Sequence, residues 1–180
     1  MGIGGFAFIP FYTLSVFMNM FLITKIKMPS SYVLLINMST MVLWVLFLPI
    51  MGYLSDKIGG KRLMSLGAIG TVLFSYPLFY PLADNFTLSN LFLLQIGLSF
   101  ISAAFVAPSS ALLPRLFKVK ERYTGVAFSY FLGVALFGGT TPLIESALVE
   151  YTGSLLSPAL YVILGGLLGL ISVRYAEQVS

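Results

Sequence analysis

Apolar residues run along this chain in six long, nearly unbroken stretches, at about 3–24, 32–54, 63–82, 88–113, 124–149 and 155–174, separated by short polar segments. A helix rising 1.5 Å per residue needs about 20 residues to cross roughly 30 Å of hydrocarbon. Strands of a membrane barrel would instead alternate apolar and polar positions in segments of about ten residues. The pattern therefore predicts an all-α membrane protein with six transmembrane helices. No hinge or low-complexity stretch divides the 180 residues, which reads as one domain. The opening run, "MGIGGFAFIPFYTLSVFMNMFLI", has no basic lead and no small-residue cleavage pattern, and reads as a membrane span rather than a signal peptide.

Composition sharpens this picture. The chain is 58% hydrophobic and 9% charged, without histidine or cysteine. That removes disulfides, thiolate metal sites and the commonest metal ligand, so neither metal nor cofactor is expected. With no pair of intramembrane acids and no phosphate-cradling glycine loop, an enzyme is the poorest fit. The net charge of +4 comes from residues flanking the spans, where the lipid surface is partner enough, and nucleic acid is not expected. Lys57, Lys61, Arg62, Arg115, Lys118, Lys120, Arg122 and Arg174 fall on one face of the membrane, against Lys25 and Lys27 on the other. The positive-inside rule then places both termini in the cytoplasm.

Polar groups inside the spans are costly in lipid and point to a cavity or another helix. The candidates are Asn19, Asn37, Gln95 and Glu145, on the first, second, fourth and fifth spans. All lie outward of the span midpoints, by about 9 Å for the first three and about 13 Å for Glu145, a placement that predicts an outward-facing vestibule. Glu145, an acid well inside a span, is a candidate proton carrier, with an interfacial structural carboxylate as the alternative. In "FGGTTP", residues 137–142, Pro142 cannot donate to the carbonyl of Gly138, so the fifth helix is expected to bend or open beside Thr140 and Thr141. Such a break either contacts substrate or only bends the helix. "APSSALLP", residues 107–114, is a second expected bend. Tyr12, Trp44 and Tyr130 are candidates for an aromatic cage around a quaternary ammonium group, while Met18, Met20 and the many phenylalanines read as packing or lipid-facing residues.

Three stretches carry more. "GYLSDKIGGKR", residues 52–62, has the form G-x-L-x-D-x-x-G-x-K-R, and "RYTGVAFSYFLGVALFGGTTPLI" and "TGSLLSPALYVILGGLLGLISV" follow at 122–144 and 152–173. The first resembles the loop signature of the major facilitator superfamily. The other two resemble segments of its metabolite/proton symporter family, which includes proline/betaine transporters. The resemblance covers almost the whole chain and matches the C-terminal six-helix bundle of such a transporter. It implies secondary transport of small zwitterions or organic acids with protons, across a plasma or bacterial inner membrane, with an N-terminal half or a second copy as partner. In such a fold the first, second, fourth and fifth helices of the half line the cavity and the third and sixth face lipid. The resemblance also implies that Asp56, with Lys61 and Arg62, forms a conformational latch with a neighbouring helix end, the alternative being a plain solvated loop carboxylate; Gly52 permits close helix packing, and Gly59 suits a tight turn of positive φ. Gly60 stands where the family usually has arginine, and Phe131 where many relatives have asparagine. A non-transporting remnant, a regulatory membrane subunit and a homo-oligomeric channel are the alternatives.

Overall fold

The computed structural model describes residues 3, 7–116 and 122–179; Lys118 and Lys120 of the basic face lie outside them. Helix α1, Ile9–Thr24, opens with Pro10 in its first turn, where a missing N–H costs nothing, and carries a π-helical segment at Thr13–Phe17. Helices α2, Ser30–Ile58, and α3, Gly60–Asp84, follow. Helix α4, Leu88–Leu112, is capped by Thr87, whose hydroxyl accepts from the Asn90 N–H at 3.2 Å, and runs on into a 3-10 turn at Leu113–Leu116. Helix α5 spans Arg122–Gly133, a second π-helical segment at Val134–Gly138, and Thr141–Thr152. Helix α6 is Ser157–Val179.

Five of these six helices are long and apolar enough to cross a membrane, and α1 is a shorter apolar helix. The expected spans thus correspond one to one with the helices, but α2 and α3 reach further than their apolar cores. What reads in sequence as a basic loop is a single residue, Gly59, with the flanking charges on the helix ends themselves.

Helix α4 is the centre of the bundle: 61% of its most apolar stretch is buried, against 17% for α2 and 22% for α5. Helix α3 packs on α4 and α6, α2 packs on α4, and α1 touches α2, α4 and α5. Met18, Leu22, Val33, Phe79, Leu91 and Leu94 fill the end bearing the α1–α2, α3–α4 and α5–α6 turns, termed outer below. Met64, Ala68, Phe105, Val106 and Val173 fill the opposite end. At Gly67 a Cβ would lie 3.0 Å from the Phe105 nitrogen and 3.2 Å from the Ala104 carbonyl carbon, so α3 and α4 approach backbone to backbone. The two helices with least cover, α2 and α5, lie on either side of α1. Large apolar side chains stand exposed along them, among them Leu35, Met38, Val42 and Leu46 on α2 and Phe128, Phe131 and Leu143 on α5.

Candidate functional site

Glu145 and Thr13 are both wholly buried, and Thr13 Oγ1 lies 2.7 Å from Glu145 Oε1 and 2.8 Å from the Ile9 carbonyl oxygen. Glu145 is therefore enclosed between helices and does not face out of the bundle. Rotation about the helix axis decides this, and α5 turns that face toward the π-helical segment of α1. Glu145 Oε2 has no hydrogen-bond partner among the described residues. Thr13, embedded in an apolar run, was missed by the sequence reading; a hydroxyl near the middle of a span was its only signal.

Of the remaining intramembrane polar groups, Gln95 is wholly buried, whereas Asn19 and Asn37 are half-buried. Gln95 is 1% exposed and neither of its amide atoms has a partner among the described residues; one turn on, the Ser99 hydroxyl is likewise buried and without a partner among them. Asn19 donates from Nδ2 to the Ser15 carbonyl, while its Oδ1, like that of Asn37, is buried with no partner among the described residues. Asn19, Asn37 and Gln95 lie at similar depths, roughly 8–11 Å in from the outer helix ends at 1.5 Å per residue, and Ser99 lies about one turn deeper. The three amides form a level at which helix packing leaves hydrogen-bonding capacity unused. Such capacity is costly in an apolar interior, by about 1–3 kcal/mol per group.

The break expected at Pro142 is present. Helix α5 loosens into its π-helical segment, turns at Gly139 and Thr140, and restarts with Pro142 in the first turn. The two hydroxyls serve the break itself: Thr140 Oγ1 donates to the Leu136 carbonyl at 2.6 Å and Thr141 Oγ1 to the Phe137 carbonyl at 2.7 Å. Thr141 is wholly buried and Thr140 exposed, so only Thr140 presents itself outward. By contrast Pro108 lies inside α4 without ending it.

In the α2–α3 turn, Gly59 has φ 95° and ψ 131°, a conformation open essentially to glycine alone. At Gly52 an added Cβ would meet nothing within 4 Å among the described residues, so the close packing the motif suggests is not made within this bundle. At Gly60 a Cβ would lie 3.3 Å from Ser55 Oγ and 3.4 Å from Pro108 Cβ, so the turn lies against the end of α4. Asp56 is exposed in the last turn of α2, and Lys61 and Arg62 stand in the first turn of α3. Both placements oppose the helix dipoles, so local helix stability does not explain them. Lys57, by contrast, is in the turn that favours a cation and lies 4.6 Å from the Tyr53 ring centroid.

Tyr12, Trp44 and Tyr130, scattered in sequence, belong to one aromatic cluster joined through Phe8 and Phe11, two links the sequence reading did not supply.

Comparison with known proteins places these features in context. The chain matches the model of the Major Facilitator Superfamily over residues 1–178. It is 28% identical to an ectoine/proline transporter of Corynebacterium glutamicum, over 94% of this chain and 33% of that protein. A citrate-proton symporter of Klebsiella pneumoniae is 27% identical over 94% of this chain and 38% of its own length. A glycine betaine/proline/ectoine/pipecolic acid transporter of Dickeya dadantii is 27% identical over 96% of this chain and 34% of its own. The chain thus spans about a third of the length of these curated relatives. No solved structure matches it.

Proposed function

The chain belongs to the Major Facilitator Superfamily, and on that premise we propose that it is one six-helix half of a proton-coupled symporter for small zwitterionic or organic-acid solutes of the proline and betaine kind. The observation that carries this reading is the match of more than nine-tenths of the chain to solute transporters about three times as long. The thin cover of α2 and α5 supports it, because a second bundle docked beside α1 would bury the faces these helices leave open. The solute would bind between the two bundles, near the bilayer midplane, and alternate between membrane faces as one bundle rocks against the other. The membrane is proposed as a plasma or bacterial inner membrane, with both termini cytoplasmic.

Glu145 is the proposed proton carrier in this half. Thr13 has one hydroxyl hydrogen, yet two acceptors stand within hydrogen-bond distance of its oxygen. A protonated Glu145 closes the count: the acid donates to Thr13 Oγ1, and Thr13 donates to the Ile9 carbonyl. Release of that proton would require α1 and α5 to separate or water to enter, which couples the proton to the helix movement.

The amide oxygens of Asn19 and Asn37 and the amide of Gln95, without a partner among the described residues, are proposed as groups that meet solute or water when the outer end opens. Thr140 and the Pro142 break are proposed as solute-contacting backbone. Asp56, Lys61 and Arg62 are proposed to latch onto the second bundle on the other side of the membrane. Uptake of labelled proline or glycine betaine by cells making this chain together with a complementary six-helix half tests the reading.

A further inference from the structure

Near the middle of the bundle a line of aromatic rings crosses three helices. Trp44 of α2 and Phe11 of α1 have ring centroids 4.8 Å apart, Phe11 and Phe8 meet edge to face at 5.7 Å, and Phe8 meets Tyr130 of α5 edge to face at 5.7 Å. The Trp44 indole N–H donates to Ser102 Oγ on α4 at 3.4 Å, which sets the ring's orientation. Every one of these rings is half-buried: each is packed by its neighbours on one part and reaches the surface on another. Trp44, Phe8, Phe11 and Tyr130 thus bridge the two least covered helices across α1, where the second bundle is proposed to dock. At Tyr130 the line opens into a cleft of about 610 Å³ between α4 and α5, lined among the described residues also by Ser110, Pro114 and Phe131 and by no charged side chain.

Two physical facts select the ligand. An aromatic face attracts a cation, best of all on tryptophan, and a quaternary ammonium, with no N–H to hydrogen-bond water, is the cation that transfers onto it most readily. The same faces repel carboxylates, and among the described residues the cleft and the ring line offer no lysine or arginine to receive one. We propose that Trp44, Phe11, Phe8 and Tyr130 form the onium-binding wall of the solute site, receiving the ammonium end of a zwitterion and leaving its carboxylate to the opposite bundle. The proposal rests on the transport reading above and narrows it: this half selects for ammonium-bearing solutes and against tricarboxylates.

Trp44 is the chain's single tryptophan and so reports on the wall directly. The chain is placed in nanodiscs of phosphatidylethanolamine and phosphatidylglycerol, which contain no quaternary ammonium headgroup, and titrated with glycine betaine, tetramethylammonium and citrate at matched ionic strength. The expected result is a saturable change in Trp44 emission with the first two and none with citrate. Tyr130→Leu and Phe8→Leu should each weaken half-saturation about tenfold, and Tyr130→Phe should keep it within about twofold, since only the ring is needed. No saturable change with either ammonium probe, an equal response to citrate, or leucine variants indistinguishable from wild type would overturn the proposal. Uptake with a complementary half separates the two readings. Binding without uptake sinks the transport reading and leaves the wall standing, whereas betaine uptake with an unchanged half-saturation in Tyr130→Leu sinks the wall alone.

Discussion

Thr13 and Glu145 stand 132 positions apart in the chain and meet at 2.7 Å in its interior, joining the π-helical segment of α1 to the second part of α5. A carboxyl group and a hydroxyl, each wholly buried, fix the contact of two helices that the proposed mechanism requires to move.

Thr13→Val keeps the shape of the side chain and removes its only polar group. Both Glu145 oxygens would then lack a protein partner among the described residues, and the chain should lose about 1–3 kcal/mol of stability. In a Glu145→Leu background the same change should cost little, because there is no acid left to strand. Thermal unfolding of the four proteins in detergent gives the cycle; equal losses in both backgrounds would mean that the contact carries no coupling.

Glu145→Gln replaces the acid with an amide that still donates to Thr13 Oγ1. The bundle should keep its stability, and the assembled transporter should still exchange labelled for unlabelled solute. Accumulation against a gradient, however, should be lost along with its sensitivity to a protonophore. Full accumulation in this variant would assign proton coupling elsewhere.

Gln95 offers the opposite trade. Its buried amide has no partner among the described residues, so Gln95→Met should raise the unfolding temperature while lowering uptake, as expected of a group kept for function at a cost in stability. A variant that is less stable by about 1 kcal/mol or more would show that the amide is satisfied in the native bundle.

Gly67→Ala and Gly59→Ala separate packing from turn geometry. At Gly67 the nearest atoms are backbone of α4 and cannot swing aside, so the added methyl should force α3 and α4 apart and cost about 1–3 kcal/mol. At Gly59 there is open space but φ is 95°, and the similar cost of about 1–3 kcal/mol is strain in the turn. Asp56→Asn, at an exposed position beside that turn, should leave stability unchanged and slow transport only when the second bundle is present. Unfolding temperatures of the single variants and initial uptake rates check all three.

The six helices were legible because the length of an apolar run is a local property, and so was the opening of α5 at Pro142, which follows from a missing N–H. The extent of α2 and α3 was not, since hydrophobicity marks where lipid ends and not where a helix ends; only Gly59 interrupts them. Nor was the burial of Glu145 and Gln95 legible. Sequence gives depth along a helix but not the face it turns to its neighbours, and the π-helical segment at Thr13–Phe17, which lies against α5, has no local residue pattern to announce it. Tyr12, Trp44 and Tyr130 could each be suspected of holding a cation, but the rings that join them, Phe8 and Phe11, are ordinary members of a phenylalanine-rich span until packing singles them out.

The most direct test of the transport reading is uptake of labelled glycine betaine or proline by cells lacking their own carriers, with this chain and a complementary six-helix bundle made alone and together. Uptake that appears only when both are present, and collapses with a protonophore, is the predicted result. Folded, inserted chain that supports no uptake with any complementary bundle would contradict it.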